Sequence, residues 1–145
     1  MVHAKEINSV LGGQRVIGKR PSTDFDYVEL IRQGLPYASL SAAAKALELT
    51  EEQVLASLQI PKRTAARRKS SDERLKPTES ERLVRLARAV AAAVDVLGNR
   101  EKTISWLQRP NRALGGVTPL SMLDTDIGLQ EVLNVLGRIS HGVFS

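Results

Sequence analysis

The chain has 145 residues, room for one domain or two small ones, and no cysteine, which excludes disulfides and thiolate metal sites. Only 3% of it is aromatic against 42% apolar, so Leu, Val, Ile and Ala must build the core, a composition of packed helices rather than of a β-sandwich. The net charge of +5 lies wholly in residues 60–76, where Lys62, Arg63, Arg67, Arg68, Lys69, Arg74 and Lys76 outnumber Asp72 and Glu73. Charge so concentrated is an address for a polyanion.

The N-terminal stretch lacks the apolar core of a signal peptide, and no run approaches the roughly 20 apolar residues of a membrane span. The sequence therefore predicts a cytoplasmic protein. Residues 1–23 show no sustained periodicity and are punctuated by Gly12, Gly13, Gly18 and Pro21, which predicts a flexible N-terminal arm. From Asp24 the pattern turns helical. Tyr27, Val28, Leu30 and Ile31 fall on one side of a short helix ended by Gly34. Next comes an Ala-rich helix with Ser39 or Ser41 as N-cap and Ala43, Ala44 and Leu47 on its inner face. Thr50 and Gln53 form a capping box for a third helix, with Glu51 and Glu52 in its first turn and Val54, Leu55 and Leu58 inside.

Gln59-Ile60-Pro61 breaks the chain, and a fourth helix starts beside Pro61 with Ala65 inward and Lys62, Arg63, Arg67 and Arg68 outward. A capped helix, a short turn and a basic helix, in that order, is the layout of a helix-turn-helix within residues 24–76. The second helix would lie in the major groove. Lys62, Arg63 and Thr64 are placed for base edges, and Arg67, Arg68 and Lys69 for phosphates. A second capping box, Thr78 with Glu81, opens the longest helix, residues 77–98, with Leu83, Leu86, Val90, Val94 and Leu97 on one stripe. Arg82, Arg85 and Arg88 are expected on its outer face. From Ala89 to Val94 it is apolar all round, which demands a place at the centre of a domain or in a subunit interface; with it comes the expectation of a homodimer.

Past Gly98 the elements shorten. Asn99 caps a helix ending at Trp106-Leu107, a loop follows, Thr118-Pro119 starts a short helix, and Asp124 or Thr125 caps the last one. Leu129, Val132, Leu133, Leu136 and Ile139 form that helix's buried stripe, and Gly142 ends it. The fold class is all-α: an N-terminal helix-turn-helix joined by a long helix to a small helical domain over 99–145. No nucleophile–base pair, carboxylate dyad or metal cluster emerges, so the sequence predicts no enzyme, no cofactor and no small-molecule substrate.

The C-terminal residues carry a set of matches: Trp106-Leu107, Pro110-Asn111, Leu114-Gly115-Gly116, Pro119-Leu120, Leu123, Gly128, Val132, Leu136, Arg138-Ile139 and Gly142. Residues 95–145 thereby resemble the toxin-binding domain of the Xre/ParS/MbcA-type antitoxins, and the preceding helices fit the same family more loosely. The resemblance implies a Xre/Cro-like helix-turn-helix and the neutralising half of a type II toxin–antitoxin pair. It implies a RES-domain toxin that consumes NAD as the partner, operator DNA as a second ligand, and repression of its own promoter. The inhibitory element would then be Arg138, His141, Gly142, Val143, Phe144 and Ser145, a cation, a polar ring and an apolar tail suited to a nucleotide pocket. The alternatives are a stand-alone transcriptional regulator whose C-terminal domain only dimerises or binds protein, and a pure protein-interaction module.

Overall fold

The computed structural model describes residues 3–142. Nine α-helices occur among them: α1 (Ala4–Val10), α2 (Gly13–Ile17), α3 (Asp24–Gln33), α4 (Tyr37–Ala46), α5 (Glu51–Leu58), α6 (Lys62–Ser71), α7 (Pro77–Leu97), α8 (Arg100–Leu107) and α9 (Asp126–Ser140). Two 3-10 turns, Arg112–Leu114 and Leu120–Met122, lie between α8 and α9. A single bridge between Asn111 and Val117 is the only β-type pairing among the described residues.

Local chemistry sets most boundaries where the sequence places them. The Thr50 hydroxyl accepts from the Gln53 amide at 3.0 Å, and the Gln53 side chain accepts from the Thr50 amide at 2.8 Å. Asn99 caps α8 through the Lys102 amide, and Thr125 caps α9 through the Gly128 amide. Before α3, Thr23 and Asp26 form a further capping box, and amide donation from Ser22 and Thr23 holds the Asp26 carboxyl below its ordinary pKa. Two starts differ. Helix α4 begins at Tyr37 after Pro36, while Ser39 is buried and the Ser41 hydroxyl donates to Glu51. Helix α7 begins at Pro77, whose missing N–H costs nothing at the first helical position. There Glu79, not Glu81, accepts from the Lys76 amide, at 2.8 Å.

Helix α7 is the axis of the fold. Leu83, Leu86, Ala87, Ala89, Val90, Ala91 and Ala93 are buried. Helices α1, α3, α5, α8 and α9 all pack on α7. Its all-round apolar stretch is thus covered within one chain, at the centre of the molecule, and the observation that motivated a dimer through this helix is accounted for.

Much of that cover comes from the first residues, which the sequence predicts as a flexible arm and which are folded. Ile7, Val10, Leu11 and Ile17 are buried in the common core. The Tyr27 hydroxyl donates to Asn8 Oδ1, and Arg100 reaches Glu6 through Nε at 3.1 Å and Nη2 at 2.7 Å. Burial, with Asp26 adding a smaller push, raises the Tyr27 phenol to about 12. The N-terminal helices therefore tie α3 on one side to α8 on the other. Seven- and five-residue helices are unstable alone; α1 is held by burying its apolar face on α7, and α2 by packing on α1 and α4.

Two further expectations change. Val28 is 42% exposed, so α3 buries Tyr27 and Leu30 instead. Arg85, expected on the outer face, is buried: Nη2 pairs with Glu81 at 2.8 Å and Nη1 points at the Leu123 carbonyl at 3.4 Å. Close backbone approach explains two glycines. A Cβ on Gly34 would lie 2.3 Å from the Leu75 carbonyl oxygen, and one on Gly128 would lie 1.7 Å from that of Met122.

Helix α6 is held to the start of α7 by one buried ion pair. Arg68 extends inward and its guanidinium Nη1 pairs with Glu79 Oε1, the oxygen that also accepts from the Lys76 amide. Both residues are buried. Replacing Glu79 by Ala leaves a buried guanidinium unpaired and should cost about 3–5 kcal/mol, read as a lowered urea midpoint. Leu11→Ala should cost about 2–5 kcal/mol in the same assay; a mobile arm would lose nothing.

Candidate functional site

The residues expected to read DNA lie on α6, and the structure sorts them into four groups. Arg63 and Arg67 are exposed one helical turn apart on the same face. Lys62 and Lys69 are exposed too, but each meets a carboxylate from the first turn of α5: Lys62 pairs with Glu52, and Lys69 lies 3.4 Å from Glu51. Thr64 is half-buried. Arg68, expected to clamp a phosphate, is not on the surface at all, because Glu79 holds it in the interior. The accessible cations of α6 are therefore Lys62, Arg63, Arg67 and Lys69.

The platform behind this helix is built from α4 and α5. Helix α4 packs on α5 more extensively than α6 does. Its buried Ala43 and Ala44 keep it thin, and Glu48 takes a left-handed conformation (φ 56°) in the turn that redirects the chain. Glu51 also accepts from the Tyr37 hydroxyl at 3.2 Å and the Ser41 hydroxyl at 3.1 Å. Burial, and then Glu51 beside it, raise the Tyr37 pKa. The Lys69 ammonium sits 5.9 Å from the Tyr37 ring centroid, within cation–π range. Helix α5 thus belongs to two helix pairs, α4–α5 and α5–α6, each joined by a short turn with one left-handed residue, Glu48 in the first and Gln59 in the second.

The second surface is the end of α9. Arg138 and His141 are exposed, and with Leu133, Asn134 and Gly137 they line a shallow depression. His141 Nδ1 lies 2.7 Å from the Gly137 carbonyl oxygen, its hydrogen-bond partner, so the ring is oriented. Gly142 follows with φ 75°, a left-handed turn that ends the helix. Val143, Phe144 and Ser145 lie outside the described residues. Trp106 is half-buried against the core, and Gly128 lets α9 close on the preceding turn. Trp106 serves the core, and Gly128 the packing that presents α9.

The two surfaces share a frame. Arg82 Nη1 donates to the Leu58 carbonyl at 3.0 Å, and Gln59 Nε2 donates to Asp124 at 3.3 Å. These contacts, and the pairing of Glu51 and Glu52 with α6, join residues from separate segments of the chain. Sequence periodicity carries no signal for them.

Known proteins divide the chain along the same lines. Residues 26–88 match the Antitoxin Xre-like helix-turn-helix domain, and residues 92–142 match the Antitoxin Xre/MbcA/ParS C-terminal toxin-binding domain. An Antitoxin Xre of Yersinia enterocolitica is 36% identical over 132 residues, spanning 90% of this chain and 89% of that protein. Another, of Photorhabdus laumondii, is 34% identical over the same shares. A Prs ADP-ribosylating antitoxin of Sphingobium sp. is 28% identical over 129 residues, 83% of this chain and 81% of that protein. The chain belongs to the Xre family of antitoxins, with its helix-turn-helix and toxin-binding domains meeting within one continuous helix, α7.

Proposed function

We propose that this antitoxin neutralises a cognate RES-domain, NAD-consuming toxin by laying the end of α9 over the toxin's active-site cleft, and that it represses its own operon through α6. The observation that carries the first half is the match to a toxin-binding domain running to residue 142, where Arg138 and His141 stand exposed together. A guanidinium suits the pyrophosphate of a dinucleotide and an imidazole its rings. The Sphingobium relative supports the same chemistry, because the ADP-ribosylation in its name draws ADP-ribose from NAD. Expression of the cognate toxin should deplete cellular NAD. Co-expression of the intact antitoxin should restore it, and a chain truncated before Arg138 should not. If the truncated chain protects equally well, inhibition resides elsewhere in the domain.

The DNA half rests on the exposed cations of α6, with two copies on a palindromic operator supplying the phosphate contacts that one copy lacks. A second reading puts α5 in the groove and α6 on the backbone, and it is favoured by the closer α4–α5 packing. Arg63→Ala and Arg67→Ala should each weaken operator binding and lower the salt slope by about 1. Under the first reading Arg63→Ala also relaxes sequence preference. Under the second, only substitutions on α5, such as at exposed Ala56, change which sequence is preferred.

A further inference from the structure

The acidic first turn of α5 lies against the basic face of α6. Glu52 pairs with Lys62 while both side chains remain mostly exposed, at 63% and 71%. Glu51 is instead engaged with Tyr37 and Ser41 as well as Lys69, and is 36% exposed. Arg63 and Arg67 have no carboxylate partner among the described residues. Along one helix, the lysine nearest the α5–α6 turn is matched to a carboxylate, and the two arginines after it are not.

A carboxylate oxygen and a phosphate oxygen are both anionic acceptors for an ammonium group, and although Lys62 has three N–H donors, a phosphate joining it would be set beside the like charge of Glu52, which already offsets the lysine's own. We propose that Glu52 acts as an intramolecular competitor of DNA phosphate for Lys62, so that this cation contributes little to DNA binding while the carboxylate is in place. This rests on the reading of α6 as a DNA-binding helix. The pair is solvent-exposed, so its own contribution to stability is small and exchanging it is inexpensive. Two consequences follow. The free chain binds random duplex more weakly than its four exposed α6 cations imply, and its salt slope falls short of their number. Loss of Lys62 is then nearly silent, because the wild-type complex scarcely uses it.

The test is a double-mutant cycle on full-length chain with a short random-sequence duplex, with Kd measured across a range of salt. Glu52→Gln should tighten binding about two- to fivefold at low salt and steepen the slope by about 1. Lys62→Gln should change Kd by less than about twofold in the wild type, yet weaken the Glu52→Gln variant by about five- to tenfold. Arg63→Gln should cost the same in both backgrounds, which separates a specific pairing from a general charge effect. Equal losses from Lys62→Gln in the two backgrounds overturn the proposal. Weaker binding by Glu52→Gln also overturns it, and would make Glu52 a DNA contact, as when a carboxylate accepts from cytosine. If every chain is folded by circular dichroism and none binds any duplex at low salt, the DNA-binding reading itself fails, and the competition with it.

Discussion

The buried pair between Arg68 and Glu79 is the constraint on which the DNA-binding half depends. Taking two charges out of water is costly, and their attraction repays that only where geometry is good and the remaining acceptor sites are used. Here Glu79 is doubly engaged, accepting from Arg68 and from the amide that opens α7. One carboxylate therefore starts the central helix and fixes the inner face of α6 against it. The orientation of every exposed cation on α6 follows from that anchor, because a helix pinned at one inward residue has little freedom to roll.

The anchor also sets which chemistry the surface offers. With Arg68 withdrawn, α6 presents two arginines without a carboxylate partner among the described residues and two lysines set against the carboxylates of α5. Arginine forks recognise guanine edges and phosphates bidentately, whereas lysine is a point charge on a flexible stem. The surface thus separates rigid, directional donors from adjustable ones. One to two turns further along α7, Arg82 and Arg85 tie the α5 terminus and the turn before α9 to the same helix. The two ligand-facing regions are stitched to one element rather than hung on a linker.

The all-α class, the caps at Thr50, Asn99 and Thr125, and the span of α7 were legible in the sequence, because each depends on residues within one turn of one another. The family likewise stood in the run of matches from Trp106 to Gly142, a pattern long enough to be specific. What escaped detection depends on contacts between distant segments. Ile7, Val10 and Leu11 have helical spacing, but over five positions this cannot be told from chance, and the apolar surface that makes them fold is some eighty residues away on α7. The same gap produced the dimer argument: Ala89 to Val94 needs cover, and nothing in its neighbourhood reveals that the chain's own first turns provide it. Arg68 was misplaced for a related reason. Its position next to Arg67 reads as one basic run, yet a 100° step turns one toward solvent and the next toward Glu79.

A single helix of 21 residues, about 32 Å long, runs from the helix-turn-helix domain into the toxin-binding domain. Because consecutive residues are about 100° apart, a one-residue insertion between residues 88 and 92 would swing one domain about a third of a turn around the other. Substitutions along this stretch need only preserve size and apolarity, whereas a change in its length alters the angle between two bound macromolecules. In such an architecture the reading frame of one helix is itself a geometric specification, and drift in length is far less tolerable there than in the loops on either side.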